Sequence, residues 1–82
     1  MMVFAHAAQM TEELTIEYRG KSFTGRRSVS GTKTLYQTIY YHGRSKADGH
    51  SYESAEESTM RLVARTILRE LVEDQLREEG KL

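Results

Sequence analysis

The sequence predicts a small α+β domain in which an antiparallel sheet of three or four strands packs against one long C-terminal helix. Two observations support this. Apolar and polar residues alternate between Gly-containing turn signals in the first 50 residues, and a helical apolar stripe follows. The predicted order is β-β-β-(β)-α. A chain of 82 residues is long enough for one domain, which we expect over residues 13–80 after a flexible N-terminal lead of residues 1–12.

The first predicted strand precedes a tight turn. Residues 14–18 alternate Leu, Ile and Tyr with polar side chains, which is typical of a half-buried strand. Gly20-Lys21 fits a two-residue hairpin turn, and a second strand is expected to return over residues 23–29. The chain should turn again at residues 30–32.

The third predicted strand, residues 34–42, has the strongest β signal because β-branched and aromatic residues dominate it. His42-Gly43 should turn the chain, and residues 44–47 are expected to form a short edge strand before a turn at Asp48-Gly49. Alternation assigns the residues of the third strand to two faces: Leu35, Gln37, Ile39 and Tyr41 on one, and Thr34, Tyr36, Thr38, Tyr40 and His42 on the other.

The last third of the chain predicts an amphipathic helix over residues 55–79. Ser54 to Glu57 reads Ser-Ala-Glu-Glu, the pattern of a capping box, and Gly80 supplies a stop. Leu62 and Leu76 fall outside the apolar stripe and are expected to be exposed. The stripe itself comprises Met60, Val63, Ala64, Ile67, Leu68, Leu71 and Val72.

Charge is segregated along the chain, although the net charge is zero. Residues 19–50 hold seven Lys and Arg against one carboxylate, residues 1–18 have a net charge of −3, and so do residues 51–82. A basic segment between acidic flanks suggests an anionic partner or an acidic protein surface.

If the helix covers one face of the sheet, the other face presents Tyr36 and Tyr40 among cations. Aromatic rings can stack on bases while Lys and Arg contact phosphate, so this pattern is compatible with nucleic-acid binding. Open sheet faces are also commonly polar with a few tyrosines, and Lys and Arg keep strand edges soluble. The candidate nucleic-acid-binding residues are Arg19, Arg26, Arg27, Lys33, Tyr36, Tyr40 and Arg44.

Two segments bear on this hypothesis. Residues 31–44, GTKTLYQTIYYHGR, followed by residues 49–57, GHSYESAEE, resemble the sheet and helix of AP2-like and integrase-arm DNA-binding domains. That resemblance implies DNA binding, although Leu35 or Tyr36 stands where those domains carry a strand tryptophan. The order of strands and helix also resembles the later part of a double-stranded-RNA-binding domain. In that family lysines at the start of the helix bind phosphate, whereas this chain has Glu56 and Glu57 there.

Catalysis is not expected, since no carboxylate pair or nucleophile lies in a suitable context. His42, Asp48 and His50 could converge on a metal, but histidines near turns are more often solvated, and we expect no metal and no cofactor. The chain has no cysteine and no membrane-length apolar run, which fits a cytoplasmic protein.

Two functional hypotheses remain open. The first is a non-catalytic module that binds DNA or RNA through the sheet. The second is a protein-interaction domain or homodimer, with no nucleic-acid activity and no membrane partner.

Overall fold

The computed structural model describes residues 10–31, 34–51 and 56–82, except for the side chains of residues 10, 50 and 51. It contains β1 (Met10–Tyr18), β2 (Lys21–Gly31), β3 (Thr34–Tyr41), β4 (Arg44–Ser51) and α1 (Glu57–Glu78). The strands form one antiparallel sheet in the order β1-β2-β3-β4. The α+β meander with a single C-terminal helix is therefore confirmed, with four strands. No helix within the described residues is long and apolar enough to cross a membrane.

Two strands are longer than the sequence predicted. β1 begins at Met10, inside the predicted lead of residues 1–12, because residues 10–12 continue the pairing with β2. Residues 1–9 lie outside the described part of the chain. β4 runs through the predicted Asp48-Gly49 turn, since both residues pair with β3. Gly49 suits this position because a Cβ there would lie 3.1 Å from the Tyr36 ring.

The two tight turns lie at the same end of the sheet. The β3–β4 turn is His42-Gly43, as predicted, with φ of 48° and 78°. The β1–β2 turn is Arg19-Gly20, one residue earlier than predicted, with φ of 55° and 81°. Positive φ at both central residues matches the right-handed twist of the flanking strands, which is why such turns connect hairpins.

The helix begins later than predicted. Glu56 holds the N-cap position without a side-chain capping bond, and Ser54, the predicted cap, lies outside the described residues. At the C-terminus Gly80 adopts φ 74°. Its N–H donates to the Arg77 carbonyl, and the Lys81 N–H donates to the Leu76 carbonyl. This Schellman pair satisfies carbonyls that the end of the helix leaves free.

The core lies between α1 and one face of the sheet. The predicted helical stripe is confirmed, although Val63 is only partly buried. Leu62 is exposed, as expected, whereas Leu76 packs against the core and corrects the prediction that both would be exposed. The buried cluster comprises Leu14, Ile16, Ile39, Tyr41, Ala64, Ile67, Leu68, Leu71 and Val72.

The helix lies close to the sheet at Gly25, which is buried. A Cβ at this position would lie 2.6 Å from the Tyr40 carbonyl oxygen and 2.8 Å from Leu68 Cδ1. Leu68 can change rotamer, but the Tyr40 oxygen belongs to a strand backbone. A larger residue would therefore push the sheet apart or lift the helix.

We predict that Gly25→Ala lowers the free energy of unfolding by about 1–3 kcal/mol, the usual cost of overpacking. Urea denaturation followed by circular dichroism measures it. Ser22→Ala, an exposed change on the same strand, serves as the control and should shift the free energy by less than about 0.5 kcal/mol. Equal stability of the Gly25→Ala protein and the wild type would contradict the close approach.

Candidate binding surfaces of the sheet

Strand register sorts the cations of the basic segment between the two faces of the sheet. Arg27 is opposite Glu12 and Ile39, Lys46 is opposite Ile39, and Arg44 is opposite Tyr41. Ile39 and Tyr41 are buried beneath α1, so these three cations lie on the helix-covered face. Arg26 alternates to the other face, which we call the open face.

Arg27 is fully buried, with 0% of its side chain exposed. Its Nε donates to Gln37 Oε1 at 2.8 Å, and its Nη1 donates to Glu12 Oε2 at 2.7 Å. Nη1 and Nη2 also donate to the two carboxylate oxygens of Glu57, at 3.0 and 2.9 Å. This bidentate contact joins the start of the helix to the sheet, since planar guanidinium and carboxylate groups match in geometry.

Three further side chains complete this group, which we call the Arg27 network. Arg61 Nη2 donates to Glu12 Oε1 at 3.1 Å, and Arg61 Nε lies 3.2 Å from Glu57 Oε2 as an ion pair that lacks hydrogen-bond geometry. Gln37, also fully buried, donates to the Met60 carbonyl at 2.9 Å. Gln37 also donates to Asp48 Oδ2 at 3.5 Å, so the network joins the two cations Arg27 and Arg61 to three carboxylates.

Hydrogen bonding from Arg27 is the main reason why the pKa of Glu57 lies below its ordinary value of 4.5, and burial of the carboxyl partly opposes it. The charges of Arg27 and Arg61 act in the same direction as the hydrogen bond. The folded state therefore holds this proton more weakly than the unfolded chain does.

Acidic residues of the helix also neutralise β4. Arg44 donates both Nη groups to Glu78, with an Nη1–Oε2 distance of 3.1 Å, and this contact lowers the pKa of the Glu78 carboxyl. Lys46 Nζ donates to Glu70 Oε1 at 3.0 Å. Together with Glu57, these contacts show that the acidic C-terminal segment pairs with the basic middle segment of the same chain.

The open face carries mostly hydroxyl groups and little charge. Its charged residues, within the described part of the chain, are Glu13, Glu17 and Arg26, which alternation and register place there. Tyr36 and Tyr40 are 52% and 47% exposed on this face. The remaining side chains on it are mainly Thr11, Thr15, Ser22, Thr24, Ser28, Ser30, Thr34, Thr38 and Ser45.

One row crosses the open face from β1 to β4. Glu13, Arg26, Tyr40 and Ser45 are successive register partners along it. A shallow depression of about 290 Å³ lies beside Arg26 and Tyr40. The side chains of Glu13 and Arg26 form no ion pair with any described residue, so both remain available to a partner.

The seven residues that the sequence predicts to bind nucleic acid lie in different surroundings. Arg26, Tyr36 and Tyr40 share the open face, and Arg19 lies in the β1–β2 turn. Arg27 is buried and Arg44 is paired with Glu78, so neither joins that face. Lys33 lies outside the described residues.

The burial of Arg27 corrects the sequence-based placement, and the alternation of β2 could have indicated it. Arg27 has the same strand parity as Phe23 and Val29, which face the helix. A positive charge argues against burial unless acidic partners reach it. Those partners come from β1 and α1, far away in sequence.

The turn end of the sheet holds aromatic residues that are not among these seven. Tyr18, Phe23 and Tyr41 form edge-to-face pairs, with ring centroids 6.4 and 6.5 Å apart. A repeated pattern could have pointed there, because residues 18–21 read YRGK and residues 41–44 read YHGR. Both quartets carry a tyrosine, a residue with positive φ, a glycine and a cation.

Metal binding finds no support in the described residues, which contain no cluster of three or more His, Asp or Glu able to hold an ion. His42 occupies the β3–β4 turn, whereas His50 pairs with Leu35 toward the other end of the hairpin.

No family model, no curated protein and no solved structure matches this chain. The resemblances to AP2-like, integrase-arm and double-stranded-RNA-binding domains therefore gain no support from these comparisons.

We predict that Arg27→Ala lowers the free energy of unfolding by about 3 kcal/mol, since it leaves buried and partly buried polar groups without their partner. Urea denaturation at micromolar protein concentration measures the loss. Arg26→Ala, one residue away on the open face, is the matched control and should change stability by less than about 0.5 kcal/mol. Similar losses in the two variants would show that Arg27 does not hold the helix to the sheet.

Acid should destabilise the protein through Glu57. Its lowered pKa means that its contribution is present above the ordinary value of 4.5 and is lost as pH falls through the folded-state pKa. Glu57→Gln should therefore lose less stability than the wild type between about pH 6 and about pH 3. Thermal unfolding across this range tests the prediction, with Glu56→Gln as the neighbouring control. Identical acid sensitivity of wild type and Glu57→Gln would contradict it.

Proposed function

We propose that this chain is a non-catalytic interaction module that self-associates through the open face of its sheet. The observation that carries the proposal is the separation of the two faces. The helix covers one face and pairs with most of its cations, while no described residue covers the other, four-stranded face, which carries two half-exposed tyrosines.

The composition of the open face favours a protein partner over a nucleic acid. Phosphate binding needs several cations, but Arg26 is accompanied there by Glu13 and Glu17. Tyrosine and arginine are enriched at protein interfaces, and this face supplies Tyr36, Tyr40 and Arg26. Tyrosine also gives a large contact area at a low cost in side-chain entropy.

The face is of a size that suits a second copy of the chain. Four strands cover a width of about 19 Å, and eight residues span about 27 Å, so the flat face measures about 500 Å². Because side chains project from this plane, the solvent-accessible area of the face is larger than its flat area. It approaches the roughly 800 Å² that each partner buries in a standard interface. A hydroxyl-rich surface of this size is consistent with a weak dimer, with Kd in the micromolar range or above.

Symmetry gives the proposed dimer a specific contact. A two-fold axis parallel to the strands, midway between β2 and β3, would set β2 of one chain against β3 of the other. Because Arg26 and Tyr40 are register partners, each Arg26 would then lie over Tyr40 of the second copy. Two such cation–π contacts are made at once, as an isologous interface requires.

We predict concentration-dependent sedimentation between about 10 μM and about 1 mM. Arg26→Ala and Tyr40→Ala should each raise the dimer Kd at least about tenfold, because each removes both symmetric contacts. Leu62→Ala is the control. Leu62 lies on α1 and, at 63%, is the most exposed large hydrophobic residue in the described part of the chain, so it is the alternative apolar site for self-association. It should leave Kd unchanged.

Two results would overturn the proposal. One is a strictly monomeric protein at about 1 mM, and the other is a dimer that Leu62→Ala disrupts and Tyr40→Ala does not. Titration of a labelled 20-nucleotide single strand at two salt concentrations tests the other hypothesis. Tight binding that weakens steeply with salt, without dimerisation, would favour a nucleic-acid-binding module.

A further inference from the structure

We propose that a cleft at the turn end of the domain binds a small organic anion with a planar apolar body, such as an aromatic carboxylate or sulfonate. The cleft has a volume of about 330 Å³ and opens between the two tight turns and the end of α1. This is the lower end of the size range of small-molecule sites. It lies on the helix-covered side of the sheet, so the proposal is independent of self-association.

The inner wall of the cleft is aromatic and apolar. Phe23, Tyr41 and Leu76 line it, and Tyr18 packs edge-on against Phe23 at a centroid distance of 6.4 Å. Tyr18, Phe23 and Leu76 are only partly buried, although they pack against the core. They therefore offer ring edges and a methyl surface to a flat apolar group.

The rim of the cleft is cationic. Arg19, Lys21 and Lys81 line it together with one acid, Glu79, which pairs with Lys81 at 3.2 Å. The Arg19 guanidinium lies 5.5 Å above the Tyr18 ring, and Tyr18 donates its hydroxyl to Glu73. Within the described residues, Arg19 and Lys21 form no ion pair.

The rim cations thus differ from the other cations on the helix-covered face of the sheet. Arg27, Arg44 and Lys46 are each neutralised by an acid of the same chain, whereas the cations of the β1–β2 turn are left for an outside anion. The end of a helix normally repels anions through its free carbonyls. Here the Gly80 and Lys81 N–H groups bond to two of these carbonyls and reduce that effect.

Backbone strain at the rim is a second, independent observation. Arg19 and His42 have φ of 55° and 48°, and both line the cleft. Asn, Asp or Gly would adopt this conformation more readily at the first position of such turns. The chain therefore has a long cationic side chain, Arg19, at a turn position where the backbone disfavours it, whereas His42 is of a residue type more often found at positive φ. Strain of this kind clusters at ligand sites.

The strain at Arg19 allows its charge to be removed without destabilising the turn. Arg19→Asn removes the charge but suits the turn better, so the fold should be as stable as the wild type or more stable. The probe is 8-anilinonaphthalene-1-sulfonate, an aromatic sulfonate, titrated by fluorescence with the stoichiometry determined. We expect one site per chain, and we expect Arg19→Asn combined with Lys21→Gln to raise its Kd at least fivefold while the melting temperature does not fall.

Competition defines the ligand class. Benzoate should displace the probe, and benzyl alcohol, which has the same ring without the charge, should not at equal concentration. Amide chemical shifts on benzoate addition should centre on residues 18–23, 41–43 and 75–81. Arg65→Gln, a change of an exposed helical cation outside the cleft, is the control and should leave the Kd unchanged.

Any of three outcomes would overturn the proposal. The first is a probe Kd that the Arg19→Asn and Lys21→Gln changes do not alter. The second is equal competition by benzoate and benzyl alcohol, which would indicate apolar adsorption. The third is chemical-shift changes confined to the open face of the sheet.

Discussion

The buried guanidinium of Arg27 is the contact on which the arrangement of the helix depends. It bonds to a residue of β1, a residue of β3 and the first residue of α1 at once, and its partner Gln37 extends the contact to Asp48 of β4 and to the Met60 carbonyl of α1. Burying a charge is costly, and a buried ion pair is often no better than an apolar contact of equal volume. Here Glu12 and Glu57 remain partly hydrated. The desolvation penalty therefore comes mainly from Arg27, whose hydrogen bonds offset it. The network's main effect is to fix where the helix starts.

Once the helix is fixed in this way, its acids face the cations of the sheet. Glu70 and Glu78 are placed opposite Lys46 and Arg44, along the length of α1. These exposed pairs contribute little stability individually. Their consequence is electrostatic: the basic middle segment is matched by the acidic flank of its own chain. Among the described residues of the sheet, this pairing leaves a nearly neutral open face on one side and the unpaired cations Arg19 and Lys21 at the β1–β2 turn. We assign different partners to these two surfaces for that reason.

The two proposed surfaces use the sheet differently. The proposed face-to-face dimer uses Arg26 and Tyr40, whose side chains lie on the open face, away from the helix. The cleft uses side chains on the helix-covered face. There Phe23 and Tyr41 pack with the core and also line the cleft between the two turns. One meander can carry both because successive side chains of a strand point to opposite faces. A ligand in the cleft would contact the ends of the strands that form the open face, without occupying that face.

The sequence by itself determined the elements and their order, because periodicity, turn glycines and the Gly80 stop are local signals. It also determined which residues of β3 face the helix, since alternation is enough for that. Only the tertiary structure decided which cations are available. Arg26 and Arg27 are neighbours with the same charge, yet one is exposed and the other fully buried. The difference depends on where Glu12 and Glu57 lie after folding. Charge segregation along a chain therefore does not by itself say whether the opposite charges lie inside the molecule or outside it, because strand register and helix placement decide that.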